Sequence, residues 1–349
     1  MFRQRGKLGT PRKAQRIWPY ASFPSMSLIL ITGGSGFLGR HLVEQLRDSG
    51  NTLRVLARGP TRWDNDPGVE VVRGDVTRPE DVMRAAEGVS AIYHLAGIVS
   101  RRPEDAPRLY RTHIEGTRNV CEAARLGGIK VAVVSSSGTI AVSSTPVVHR
   151  EDSGYKYDVV QEWPYYLSKI FAEKLALDYY ARYGLPLVVV NPSLLLGPGD
   201  DRRSSTGDVA LFLQGQILAL PGGGLNFVDA RDASRGVIQA MQHGRPGERY
   251  LLGGVNWTFE ALIRSVARLS GRRPPKLKPS LAVSLWSARL LRKLFPLAGK
   301  SFDLDDASIK MSALFWYCDS TKARRELGFE TRDPFETLKD TICDLQPLA

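Results

Sequence analysis

Ser27-Leu-Ile-Leu-Ile-Thr32 runs directly into Gly33-Gly-Ser-Gly36-Phe-Leu-Gly39, and a helical pattern through Leu42, Val43 and Leu46 follows. The apolar run has strand length, and it is the pattern of a parallel strand covered by helices on both faces. Glycines between a strand and a helix let backbone N–H groups approach a pyrophosphate, and the helix N-terminus adds partial positive charge there. Gly33 is then the residue of the tight turn, Gly36 that of the close approach to phosphate, and Gly39 that of helix-to-strand packing. Phe37 and Leu38, the first helical residues, join them as expected cofactor contacts.

Outward from this turn, strand candidates recur at 52–57, 69–73, 89–94, 130–134 and 186–191, with helical stretches at about 79–87, 107–126 and 163–183. The alternation predicts an α/β fold, a Rossmann doubly wound parallel sheet with a smaller C-terminal substrate-binding region. Past Asn191 the pattern breaks at Pro192, Gly197, Pro198 and Gly199, and Pro221-Gly-Gly-Gly224 marks a second loop. The expected division is a basic, disordered extension at 1–26, a nucleotide-binding domain at 27–192 with a return segment at 225–250, and a substrate region at 193–224 and 251–349.

The chain has 349 residues, 43% hydrophobic and 24% charged, which are ordinary globular proportions. Half of its net charge of +12 lies in residues 1–27, which hold six bases and no acid. The body is only moderately basic, so nucleic acid is not an expected partner. The leading segment has no apolar run of the kind a secretory signal needs. It reads as a disordered tail or as sequence ahead of a start at Met26, with a transit peptide as the sharper alternative. Cys121, Cys318 and Cys343 are far apart, with no metal-ligand spacing and no evident disulfide framework, which fits a reducing cytoplasm. Residues 281–297 form an amphipathic helix candidate interrupted by Arg289, Arg292 and Lys293, too charged to cross a bilayer. It is expected to belong to the substrate region, with contact at a membrane surface as the alternative.

The spacing Thr32-Gly-x-x-Gly-x-x-Gly39 resembles the extended branch of the short-chain dehydrogenase/reductase superfamily, the NAD-dependent epimerase/dehydratase family. Cofactor choice is read at the end of the second strand, where an acid would bind the ribose hydroxyls of NAD and an Arg would accommodate a 2′-phosphate. Leu53-Arg-Val-Leu-Ala57-Arg58 carries no carboxylate, so Arg58, with Arg62 as a second donor, favours NADP(H) and leaves NAD(H) as the alternative. Gly74-Asp75-Val76 resembles the family's adenine-binding pair, and His94-Leu95-Ala96-Gly97 its small-residue turn beneath the cofactor. Asn191-Pro192-Ser193 resembles the segment that contacts the nicotinamide.

Carbonyl reduction needs a proton donor beside the developing alkoxide, and a Tyr of pKa ~10 serves near neutrality if a cation lowers it. Tyr165 and Lys169 stand four apart, on one face of a helix entered through Pro164. Tyr165 is the only one of the 12 tyrosines with Lys at that spacing. With Ser168 between them they reproduce the family's Tyr-x-x-Ser-Lys, and the resemblance implies that Lys169 also binds the nicotinamide ribose. The third member is a hydroxyl in Val134-Ser-Ser-Ser137-Gly-Thr139. A gap-free alignment on the dihydroflavonol-reductase-like pattern places it at Ser136, and an epimerase-like alignment places it at Ser137.

Two positions depart from the family pattern. His113 stands where relatives commonly carry an Asn that helps relay protons, so it either acts through its imidazole or packs. Ala141 stands where plant flavonoid enzymes have a substrate-binding Asn, which does not support a flavonoid substrate. The resemblance implies a reductase or alcohol dehydrogenase of dihydroflavonol-reductase-like or hydroxysteroid-dehydrogenase-like type, acting on an apolar ketone or secondary alcohol. The alternatives are a nucleotide-sugar epimerase or dehydratase holding NAD, and a non-catalytic NADP-sensing protein. It also implies a homodimer through helices near 107–126 and 163–183.

Overall fold

The computed structural model describes residues 27–294 and 305–346. Its main sheet has seven strands: Leu28–Thr32 (β1), Thr52–Ala57 (β2), Val69–Arg73 (β3), Ala91–His94 (β4), Lys130–Val134 (β5), Leu187–Pro192 (β6) and Arg249–Leu252 (β7). They run in the order β7-β6-β5-β4-β1-β2-β3, every pair parallel. The chain therefore reverses its direction of travel across the sheet between β1 and β4, and a crevice opens there at the strands' carboxyl ends.

Alternate side chains of each strand enter opposite layers. Ile29 and Ile31 pack with Leu42, Val43, Val188 and Val237 on one face, and Leu30 packs with Ile92, Val120, Val131 and Val189 on the other. The first layer is closed by the helices Phe37–Asp48 (α1) and Ala230–His243, and the second by Gly116–Gly127 and Pro164–Tyr183. Burial on both faces is why these strands read as continuous apolar runs.

Five short strands form the second assembly: Val148–His149, Leu194–Leu196, Gly224–Asp229, Val255–Thr258 and Phe315–Cys318. Helices Gly207–Leu213, Phe259–Ser270 and Pro334–Leu345 bury Phe212, Leu262, Val266, Leu338 and Ile342 against it.

The two layers interleave more than the sequence division predicts. Val148–His149, from the nucleotide-domain stretch, pairs with Phe315–Cys318. The return segment splits, with Gly224–Asp229 in the small assembly and β7 on the edge of the main sheet. Ala323, Leu327 and Phe329, placed by sequence with the substrate region, pack into the main core. The cause is a notch at Gly236, where an added Cβ would lie 2.9 Å from the Phe329 ring and 2.8 Å from Leu252. The helix expected at 107–126 is present but widens into a π-helical turn at Arg111–Glu115. The helix expected at 281–297 spans Leu281–Leu294, and positions 295–297 lie outside the described residues, as does the extension at 1–26. Among the described residues no helix is long and apolar enough to cross a membrane.

Candidate active site

One continuous cavity of about 1580 Å³ runs along the carboxyl edge of the main sheet and into the second assembly. At its nucleotide end Gly33 has φ +78°, and a Cβ there would lie 2.6 Å from the Ala96 nitrogen, so the turn is pressed against the β4 loop. A Cβ at Gly39 would fall 2.1 Å from the Gly33 carbonyl oxygen, which leaves only glycine as the residue that lets α1 start so close to β1. α1 has no side-chain cap and no acid in its first turn, so its leading N–H groups point at the cavity without an internal competitor. These features fit a dinucleotide pyrophosphate, and Gly33, Gly36, Phe37 and Leu38, the contacts expected from sequence, all lie on the cavity wall. Two serine hydroxyls farther along, Ser135 Oγ and Ser193 Oγ, are buried without any hydrogen-bond partner, donors and acceptors of the kind a bound nicotinamide amide or ribose would satisfy.

Leu95, Gly97, Pro192 and Ser193 also line the cavity. Asp75, Val76 and Ala96 do not. The Asp75 carboxylate accepts from the backbone and hydroxyl of Thr77 at 2.9 and 3.0 Å, closing its own turn. Val76 is buried in the core against Gly116, and the Ala96 N–H donates to Thr32 Oγ1 at 3.2 Å. Arg58 lines the wall at the end of β2, its guanidinium 3.9 Å from Asp75 and more than half exposed. Arg62 is also there, joined by Arg40, which the sequence reading missed; both reach Asp201, at 2.6 and 3.6 Å.

The catalytic candidates meet at the middle of the cavity. Helix Pro164–Tyr183 enters without a side-chain cap, and its inner face carries Ser168, Lys169, Ala172, Glu173 and Ala176. Tyr165 sits edge-on to His113 at 5.8 Å and to Tyr166 at 5.0 Å. Burial pushes its phenol up to about 12, and a hydrogen bond with Ser136 pulls the other way. Lys169 is lowered to about 8 by burial, with the Glu173 carboxylate opposing the shift. Its ammonium donates to the Val134 carbonyl at 3.0 Å, at the end of β5. The expected lowering of Tyr165 by Lys169 is therefore absent from this arrangement, because the shared helix face brings the two side chains to one cavity while the strand-end carbonyl takes the ammonium.

Ser136, half-buried, and Ser137, buried, both line the cavity, and the Ser136 hydroxyl accepts from the Gly138 N–H at 3.3 Å. Both placements therefore remain open to a kinetic test. Ser136→Ala is expected to lower kcat by roughly 10²–10³-fold, as loss of one oxyanion donor does. Ser137→Ala should leave kcat within about threefold of the parent, since a donor off the reacting oxygen adds no such term. Steady-state kinetics on both variants checks the pair, and equal losses would contradict it.

His113 lies in the π-helical turn, which directs it inward. Its Nε2 accepts from the Ile98 N–H at 3.0 Å, so Nδ1 carries the proton and donates to Ser168 Oγ at 2.8 Å. Ser168 in turn donates to the Tyr165 carbonyl at 2.8 Å. Burial, then the neighbouring Lys169, hold the imidazole far below its ordinary pKa. With both nitrogens engaged and the ring neutral, His113 ties the β4 loop to the Tyr165 turn, which supports packing over relay.

Sequence reasoning missed a buried carboxylate. Glu173 is 1% exposed and accepts from Asn191 Nδ2 at 2.8 Å, with the Arg249 guanidinium at 3.3 Å. Asn191 also donates to the Ser136 carbonyl at 3.1 Å, so the network fixes the backbone that presents Ser136. The available signal was an acid four residues beyond Lys169 on the same helix face. Tyr166 and Trp316, stacked at 4.9 Å, form a shelf beside the site that no motif announced. Gly138 makes room for it, since a Cβ there would lie 2.3 Å from the Tyr166 ring.

Residues 29–253 match the NAD dependent epimerase/dehydratase family. A Synechocystis sp. protein provisionally named dihydroflavonol 4-reductase is 33% identical over 90% of this chain and 92% of its own. The 3-beta-hydroxysteroid dehydrogenase of Mycolicibacterium neoaurum is 26% identical over 91% and 90%. Among solved structures, that of gox2253 superposes with a TM-score of 0.79 at 29% identity, covering 92% of this chain and 98% of the other.

Proposed function

We propose that this chain, which belongs to the NAD dependent epimerase/dehydratase family and is an NAD(P)-dependent oxidoreductase of its extended short-chain type, interconverts an apolar ketone and its secondary alcohol with NADP(H). The observation that carries the reading is the character of the cavity beyond Tyr165. Its walls there include Leu194, Val209, Phe212, Leu225, Leu262 and Ile263, flanked by the Tyr166–Trp316 shelf, with the Arg101–Asp208 ion pair as the polar element beside it. Such apolar walls gain roughly 25 cal/mol for each Å² of apolar substrate they cover.

When bound, the nicotinamide supplies or accepts the hydride. The protein's own residues handle the oxygen and the proton. Ser136 donates to the substrate oxygen, and Tyr165, a protonated phenol at neutral pH, gives its proton to that oxygen as negative charge develops. Below about pH 8 Lys169 keeps its charge and holds positive potential beside the site. Arg58, Arg62 and Arg40 offer cations where a 2′-phosphate would lie, and β2 ends without a carboxylate.

Purified protein mixed with apolar ketones is expected to consume NADPH faster than NADH, followed at the reduced-nicotinamide absorbance. Arg58→Ala should reduce the NADPH preference by about tenfold, the loss of one charge-assisted phosphate contact of 1.5 kcal/mol or so. Protein that carries bound NAD+ and turns over no added cofactor would instead identify a sugar epimerase or dehydratase.

A further inference from the structure

Helix Leu281–Leu294 has two apolar stripes, and the cavity uses only one of them. Leu281, Ser284, Ala288 and Leu291 line the cavity wall. Val283, Trp286, Leu290 and Leu294 recur at helical spacing on an adjacent stripe and are exposed, Trp286 at 68%. Leu277, just before the helix, is equally exposed at 68%. An outward row of large apolar side chains is costly unless something apolar covers it.

The charge around the row indicates what that is. Residues 272–294 contain seven bases and no acid. Lys278 is paired with Glu260, and Arg289 and Arg292 with Asp306. Arg272, Arg273, Lys276 and Lys293 are exposed and have no ion-pair partner among the described residues. Apolar anchors including a Trp, set among unpaired cations on a helix too charged to span, suit the interface of an anionic bilayer. A protein partner would need a large, acidic, apolar face, whereas a lipid surface offers both properties without shape matching.

We infer that the segment 272–294 docks on anionic lipid, with Trp286 in the headgroup region and the mouth of the cavity beside it. The helix then stands between the bilayer and the catalytic chamber, so an apolar substrate passes from lipid past Leu281 without entering water. This delivery rests on the reductase reading; the docking does not.

The test uses the full chain and sedimentation with vesicles of phosphatidylcholine alone or mixed with phosphatidylglycerol. The chain is expected to pellet with the mixed vesicles and to stay in solution with the neutral ones. Arg272→Gln, Arg273→Gln and Lys276→Gln together should weaken binding by roughly 10²-fold, about fivefold for each surface cation. Lipids brominated in the upper acyl chain should quench fluorescence in the parent, and Trp286→Phe should lose that quenching while still pelleting. Failure to pellet overturns the docking. So does binding that survives the triple change but vanishes on Arg3→Gln, Arg5→Gln and Lys7→Gln, which would place the contact in the leading segment. A vesicle-free dimer dissociated by Trp286→Gln would assign the stripe to a second copy and overturn it as well. Vesicle binding without any ketone turnover would keep the docking and remove the reductase reading, and the reverse result would do the opposite.

Discussion

Tyr165→Phe is expected to cut ketone turnover by roughly 10²–10⁴-fold, the contribution of a positioned general acid, which corresponds to about 3–5 kcal/mol of barrier. The substitution removes one oxygen and keeps the ring. The edge-on packing against His113 and Tyr166 survives, so stability and NADPH affinity should stay close to the parent's. This combination makes the variant diagnostic, because the loss should appear in kcat with little change in cofactor binding. Turnover within about threefold of the parent would show that the proton comes from elsewhere, since a uniform-binding role alone leaves kcat unchanged. Ser136 would then be an oxyanion donor without an acid beside it.

The fold was legible because its decisive signals are local. A strand buried on both faces is an unbroken apolar run, and a glycine turn before a helix is a short pattern; both are visible in Leu28–Gly39 without knowledge of the rest. The spacing that joins Tyr165 to Lys169 is local in the same way. What sequence could not supply is partner choice over long separations. Lys169 donates to Val134, Glu173 meets Arg249, and Phe329 fills a notch at Gly236, and each pair depends on how distant segments stack. Asp75 and Val76 illustrate the same point, since one Asp75 oxygen takes Thr77, the other lies 3.9 Å from Arg58, and the Val76 side chain packs into the core. His113 is an intermediate case. Its departure from the family's Asn was visible, but the neutral state follows from two hydrogen bonds, to Ile98 and Ser168, that only the folded chain brings together.

Glu173→Gln should show that the buried carboxylate does more than fill space. The amide has the same shape, yet it leaves the Arg249 guanidinium, 16% exposed, without its counter-charge at 3.3 Å. Breaking one side of a buried ion pair costs about 3–5 kcal/mol, so thermal unfolding should move down by roughly 6–15 °C. Glu173 is also the group that opposes the burial of Lys169. Without it the lysine should fall below its value of about 8, and the alkaline limb of kcat/KM, where the ammonium loses its proton, should move to lower pH. The sign matters, because a generally loosened structure would rehydrate Lys169 and move the limb upward, toward the ordinary lysine value. A second substitution separates the roles. Adding Arg249→Met removes the stranded cation and should restore most of the lost stability, because an apolar replacement of a buried pair is tolerated. The shifted limb should persist in the double variant, since the carboxylate beside Lys169 is still missing. Recovery of both stability and pH profile would mean that Glu173 acts only through Arg249.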